Sequence, residues 1–230
     1  MTPLHESSND DTFSQGPTTR ALSVAAVEDA SVEAVYRRLA AVYDWMFGPM
    51  LLPGRLAAIR KLPLRPGDEV LEVGVGTGIN AALYPDHVSV TGIDFAEEML
   101  QRAECRLAAQ GLHNVQLMRM DAAHLEFPDD SFDLVYAPYV ISVVSDPVKV
   151  AREMRRVCRH GGHFVFLNHF LSDNRVVASA ERLISPLTVH AGFKADVDLS
   201  AFLAQAELNP ISIEKVNVPR IWTLVTCLKD

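Results

Sequence analysis

The stretch Asp68-Glu69-Val70-Leu71-Glu72-Val73-Gly74-Val75-Gly76-Thr77-Gly78 constrains this chain more than any other. Val70, Leu71 and Val73 read as a buried strand, and the three glycines after it form a loop in which a ligand can lie against bare backbone. Glu72 puts a carboxylate at the strand's end, where a ribose or a cationic group can be held. The pattern predicts a nucleotide-like ligand.

Spacing and charge narrow the ligand. A dinucleotide site wants G-x-G-x-x-G, with an acid about 20 residues on for the ribose. Here the glycines fall at 74, 76 and 78, and Ile79 stands where the dinucleotide pattern needs its last glycine. Asp94 closes a second hydrophobic run, 87–93, and suits a ribose in either case. Nearby carboxylates repel a pyrophosphate but favour the sulfonium and ammonium of S-adenosylmethionine. Glu72, Asp94 and Asp121 bring three acids to one crevice, which suits the sulfonium cofactor.

Strands are predicted at about 69–73, 87–93, 114–119, 132–137 and 163–168, alternating with helices. That alternation implies an α/β fold, a parallel sheet covered by helices on both faces. Runs at 211–216 and 221–227 read as a final strand pair. The helix after Asp94 starts with acids and ends before Gly111. Asp146-Pro147 reads as a cap with a first-turn proline, and Gly161-Gly162 as the stop of that helix. In an open sheet of this kind the ligand lies at the carboxyl ends of the early strands.

At 230 residues and 49% hydrophobic content, the chain suits one domain with an ample core. No apolar run reaches the roughly 18 residues of a spanning helix, and no secretory signal opens the chain, so a cytoplasmic location is expected. Cys105, Cys158 and Cys227 lack metal spacing and read as reduced or buried thiols; no metal is expected. The net charge of −8 argues against a nucleic-acid binder.

The charge is unevenly placed. In residues 1–30 the acids Glu6, Asp10, Asp11, Glu28 and Asp29 outnumber Arg20, and a flexible tail is expected there. In residues 31–65, Arg37, Arg38, Arg55, Arg60, Lys61 and Arg65 face only Glu33 and Asp44. Within that segment Val32, Val35, Tyr36, Leu39, Val42, Tyr43 and Met46 form one apolar stripe at helical spacing, and Phe47–Arg55 reads as an apolar hinge. Two readings stand: a lid helix over the cofactor pocket, or helices that meet an anionic membrane surface.

Four signals in order, Glu72–Gly78, Gly92–Met99, Met120-Asp121-Ala122 and Phe127–Val135, identify residues 36–230 as similar to the class I S-adenosylmethionine-dependent methyltransferases. That resemblance implies a Rossmann-like, seven-stranded, mostly parallel sheet over residues 66–230, its last strand antiparallel. It implies cofactor binding by Glu72, Gly74, Gly76, Gly78, Asp94, Phe95, Met99, Asp121, Ala122 and Ala137. Among these, Asp94 takes the ribose hydroxyls, Asp121 the adenine amino group and the Ala122 amide the ring. The Ala137 carbonyl orients the methionine ammonium. Ala96 departs from the family pattern, where a serine is common.

Tyr43-Asp44-x-x-Phe47-Gly48 and Tyr136–Pro147 further resemble the bacterial phosphatidylethanolamine N-methyltransferases, a group similar to quinone-biosynthesis C-methyltransferases. The resemblance implies a peripheral enzyme, expected as a monomer on the inner face of the cytoplasmic membrane, that methylates a phospholipid amine. Tyr43 and Tyr139 are candidates for an aromatic wall around the growing cation or for the proton acceptor. His169 is either a structural histidine or a base. Arg175 and Arg182 are candidates for the lipid phosphate. A quinone-directed or small-molecule methyltransferase and a non-catalytic cofactor-binding protein that recruits partners to membranes remain as alternatives.

Overall fold

Val70, Leu71, Glu72 and Val73 are fully buried in strand β1 (Glu69–Val73), as expected of a strand with sheet on both sides and helices on both faces. The computed structural model describes residues 51–171, 197–216 and 222–230. The tail and the apolar stripe expected before residue 50, with Tyr43, lie outside the described residues, as do Arg175 and Arg182.

β1 pairs in parallel with β2 (Ser89–Asp94) on one side and β4 (Phe132–Pro138) on the other. β3 (Val115–Arg119) lies outside β2 and β5 (Cys158–His169) outside β4, both again parallel. β7 (Trp222–Leu228) then inserts antiparallel between β5 and β6 (Pro210–Val216). The order is β3-β2-β1-β4-β5-β7-β6, the expected seven-stranded, mostly parallel sheet with its last strand antiparallel. Strand order reverses between β1 and β4, and that switch opens a crevice at their carboxyl ends.

Helices α1 (residues 51–59), α2 (Glu97–Gln110), α3 (Pro147–Val157) and α4 (Leu199–Gln205) accompany the sheet. Successive residues of β4 enter opposite cores, as strand alternation requires. Val135 and Ala137 join Val150, Ala151 and Met154 of α3 and Phe202 of α4. Leu134 and Tyr136 join Leu51, Ala58 and Ile59 of α1.

Local signals act where expected at two helix ends. Asp146 accepts a hydrogen bond from the Lys149 amide at 2.9 Å, with Pro147 in the first turn. Gly111 ends α2 at φ 65°, its amide bonding the Ala108 and Leu107 carbonyls.

Two expectations need correction. Gly161-Gly162 does not stop α3, which ends at Val157, with Cys158 already extended. The Lys229 ammonium caps that end, donating to the Arg156 and Cys158 carbonyls at 3.0 and 2.8 Å. The glycines instead lie inside β5, where the register shifts against Phe132 and Leu134; a Cβ on Gly162 would come 2.7 Å from the Asp133 carbonyl. The hinge expected at Phe47–Arg55 is also overturned in its described part, because residues 51–55 are helical. Leu51, Arg55, Ala58, Ile59 and Leu62 are buried at three- and four-residue steps, so packing against the sheet outweighs the local bias of Pro53 and Gly54.

Candidate active site

The crevice at the switch point is a cleft of about 1200 Å³, open mouth included, running from Asp121 after β3 across Asp94 and the glycine loop to Tyr139 after β4. Its walls are largely apolar, with Ile79, Ile93, Met99, Val140 and Val144 among them.

The loop glycines do different work. Gly74, Gly76 and Gly78 all have positive φ, which only glycine adopts freely. A Cβ on Gly78 would meet the Ala103 Cβ at 3.1 Å, so this residue lets α2 pack against the loop. One on Gly74 would meet Val140 at 2.4 Å. One on Gly76 would meet nothing within 4 Å, and Gly76 lines the cleft, so here bare backbone faces open space.

Asp94 ties the loop to the next helix. Its Oδ2 accepts from the Gly76 amide and its Oδ1 from the Ala96 amide, both at 2.9 Å. Burial pushes its carboxyl above the usual range, against the pull of the Ala96, Gly76 and Phe95 amides. Ala96 itself offers no side-chain cap; Asp94 engages its amide, and Glu97 and Glu98 fill the first turn. Phe95 and Met99 line the cleft beside it, and Arg119 lies over the exposed Phe95 ring at 5.7 Å.

Asp121, with Ala122, lines the far end. It accepts from the Ala123 amide at 2.8 Å and bonds His124 Nδ1 at 2.9 Å, while Lys149 on α3 bonds the other His124 nitrogen. Partial burial would raise the Asp121 carboxyl; His124, the Ala123 amide and the Lys149 charge outweigh it and hold the group low.

Glu72 is placed differently from a ligand contact. It does not line the cleft, and its oxygens accept from Asn80 Nδ2 and the Tyr84 hydroxyl, both at 2.6 Å. Burial pushes its carboxyl up to about 7 against Tyr84, the Arg55 charge and Asn80. Glu72 therefore anchors the segment that follows the loop. Ala137 is likewise fully buried, in register with Phe166, while its neighbour Pro138 lines the cleft.

Tyr139 closes the β4 end of the cleft. It has φ 63°, unusual for a bulky residue, and its amide donates to the Leu167 carbonyl at 2.6 Å. Its hydroxyl donates to the Leu51 carbonyl of α1 at 3.0 Å. The Trp222 ring meets it edge-on at 4.9 Å, and the Arg55 guanidinium lies 5.1 Å from its ring centre. His169 ends β5 beside Trp222, 6.1 Å between rings, outside the cleft lining.

Sequence reasoning missed Arg55 as part of this site, and Asn80 and Tyr84 as the partners that hold Glu72 away from it. The signal for Arg55 was a cation on a buried helical stripe, hidden because Pro53-Gly54 reads as a break. Among the described residues no cluster could hold a metal ion, and no helix is long and apolar enough to cross a membrane.

A bare-backbone loop, a cleft-lining carboxylate at the end of β2 and apolar walls fit an adenosyl group, and comparisons with known proteins agree. Residues 71–166 match the model of a methyltransferase domain family. The chain is 40% identical over 196 residues to the phosphatidylethanolamine N-methyltransferase of Cereibacter sphaeroides, covering 85% of this chain and 96% of that one. It is 34% identical over 149 residues to the demethylmenaquinone methyltransferase of Geobacillus stearothermophilus, covering 61% and 63%. In fold it is similar to Haemonchus contortus phosphoethanolamine N-methyltransferase 2, solved with S-adenosyl-L-methionine, at TM-score 0.69, 18% identity and 86% and 60% coverage. With the cleft at the switch point and a relative matched almost end to end, this chain belongs to the S-adenosylmethionine-dependent methyltransferases.

Proposed function

We propose that the enzyme methylates the amine of phosphatidylethanolamine, in successive rounds toward phosphatidylcholine, as a monomer resting through residues 31–65 on the anionic inner face of the cytoplasmic membrane. The observation that carries this reading is the 40% identity across 96% of a phosphatidylethanolamine N-methyltransferase. Demethylmenaquinone methyltransferase, matched over 63% of its length, supports a second reading with a quinone carbon as acceptor.

S-adenosylmethionine supplies an electrophilic methyl group on a sulfonium. The protein's part is to bind, align and exclude water. We assign the ribose hydroxyls to Asp94, which lines the cleft at the end of β2 and is held in place there by the Gly76 and Ala96 amides. Asp121 is assigned the adenine amino group and the Ala122 amide the ring edge, with Phe95 and Met99 as apolar neighbours. The Ala137 main chain at the end of β4 is assigned the methionine ammonium. Glu72 acts from behind the loop it anchors.

A primary amine, with a pKa of about 10, must lose a proton before it attacks. The Tyr139 hydroxyl proton is committed to Leu51, so Tyr139 serves as wall, leaving Tyr43 and His169 as candidates for the proton. Arg175 and Arg182 are assigned the lipid phosphate.

Purified protein incubated with methyl-labelled S-adenosylmethionine and vesicles containing phosphatidylethanolamine tests the reading. Label is expected in mono-, di- and trimethylated phosphatidylethanolamine. Unlabelled lipid, with cofactor binding demonstrated, would shift the acceptor to a quinone or small molecule.

A further inference from the structure

Arg55 is 6% exposed, yet its Nε and Nη1 have no hydrogen-bond partner among the described residues. A buried guanidinium without acceptors is unfavourable, and such groups persist where something pairs with them. The nearby acid is not that partner. Glu72 feels the Arg55 charge, but its own bonds go to Asn80 and Tyr84. Arg55 lines the cleft and lies against the Tyr139 ring. Gly54 permits this approach, since a Cβ there would come 2.4 Å from the Tyr139 hydroxyl.

The position of Arg55 specifies what it meets. The cleft crosses the ends of β3, β2, β1 and β4 in that order, with Asp121 at the first and Tyr139 at the last. Strands lie about 4.8 Å apart, so three steps span roughly 14 Å. That is the reach of an adenosine carrying an amino-acid tail. With the base at Asp121 and the ribose at Asp94, the tail ends beside Arg55. A planar guanidinium matches a carboxylate by two parallel hydrogen bonds.

We infer that Arg55 is the receptor for the methionine carboxylate of the cofactor, with the Tyr139 ring as the platform that holds its guanidinium. The inference rests on the cofactor orientation proposed above, with ribose at Asp94, but not on the identity of the methyl acceptor.

Calorimetric binding of two probes tests it: S-adenosylhomocysteine, which carries the amino-acid end, and 5′-methylthioadenosine, which lacks it. Arg55→Met is expected to weaken S-adenosylhomocysteine about 10- to 100-fold and to leave 5′-methylthioadenosine unchanged. Arg55→Lys keeps the charge without the fork and should recover part of the loss. Arg55→Met should also melt close to wild type without ligand, because the lost contacts with the Tyr139 ring and the Glu72 charge are offset by removal of two buried nitrogens that lack acceptors. Equal weakening of both probes would overturn the inference by showing that Arg55 only shapes the cleft. Unchanged affinity for both, with a raised KM for phospholipid, would overturn it in favour of the acceptor's phosphate. Asp94→Ala separately tests the orientation, which fails if 5′-methylthioadenosine binds this variant as it binds wild type.

Discussion

The Gly76 amide donates to Asp94 Oδ2 at 2.9 Å, tying the loop after β1 to the end of β2 across the crevice. Each partner also lines the cleft, so one contact holds two parts of the cleft wall together.

That arrangement separates two glycines a few residues apart. Gly76→Ala and Gly78→Ala both place a side chain at positive φ, a strain of about 1 kcal/mol. In Gly78→Ala the new methyl also meets Ala103 at 3.1 Å, adding about 1–3 kcal/mol. In Gly76→Ala it projects into open cleft. Urea unfolding is expected to show the larger loss for Gly78→Ala, and titration with S-adenosylhomocysteine the larger loss for Gly76→Ala.

Glu72 makes stability depend on pH. Its folded carboxyl sits at about 7, against an ordinary value of 4.5. Below 4.5 both folded and unfolded states hold the proton, and the group has no effect. As pH rises from there to about 7, the unfolded chain releases the proton first, so stability falls. The fall approaches 3 kcal/mol at most, roughly, and levels off above that range. In Glu72→Gln this segment of the stability curve should flatten, with Tyr84 turning to accept from the new amide. Urea midpoints measured from pH 4 to 8 on both proteins check it; parallel curves would mean that Glu72 binds its proton equally well in the folded and unfolded chain.

What the sequence makes legible is what short-range chemistry decides. The strand before Gly74, the acid at Asp94, the cap at Asp146 and the left-handed Gly111 each follow from neighbours within a few positions. Arg55 was illegible because α1 is held through Tyr139, 88 positions from the Leu51 carbonyl it bonds. Glu72 looked like a ligand contact because nothing local reveals that Asn80 and Tyr84 turn back to take both of its oxygens. Gly161-Gly162 carries a helix-stop signal, yet the backbone of Asp133 from another strand decides its use. In each case a distant partner outweighs the local signal.

The three cysteines should separate cleanly by reactivity. Burial pushes the Cys158 and Cys227 thiols up to about 12, against the opposing charges of Lys229 and Arg155 respectively. Cys105 is exposed on α2. Because the thiolate is the nucleophile, an aromatic disulfide reagent at pH 8 is expected to titrate Cys105 in the native protein and the other two only after denaturation. Cys105→Ser should remove the fast phase without altering methyl transfer, since Cys105 lies outside the cleft lining.

Tyr139 offers the sharpest division between wall and proton acceptor. Tyr139→Phe keeps the ring, and with it the contacts to Arg55 and Trp222, but removes the hydrogen bond to the Leu51 carbonyl. Loss of one buried hydrogen bond lowers stability by about 1 kcal/mol, and a wall role predicts turnover within about threefold of wild type. Tyr139→Ala removes the ring, leaves the Arg55 guanidinium without its platform and opens a cavity beside Trp222, so it should lose about 3–5 kcal/mol and most cofactor affinity. The pH dependence of kcat then decides the matter. An unchanged profile in Tyr139→Phe leaves the proton to another group, whereas a tenfold fall in kcat with a displaced acidic limb would make the hydroxyl a participant in the chemistry.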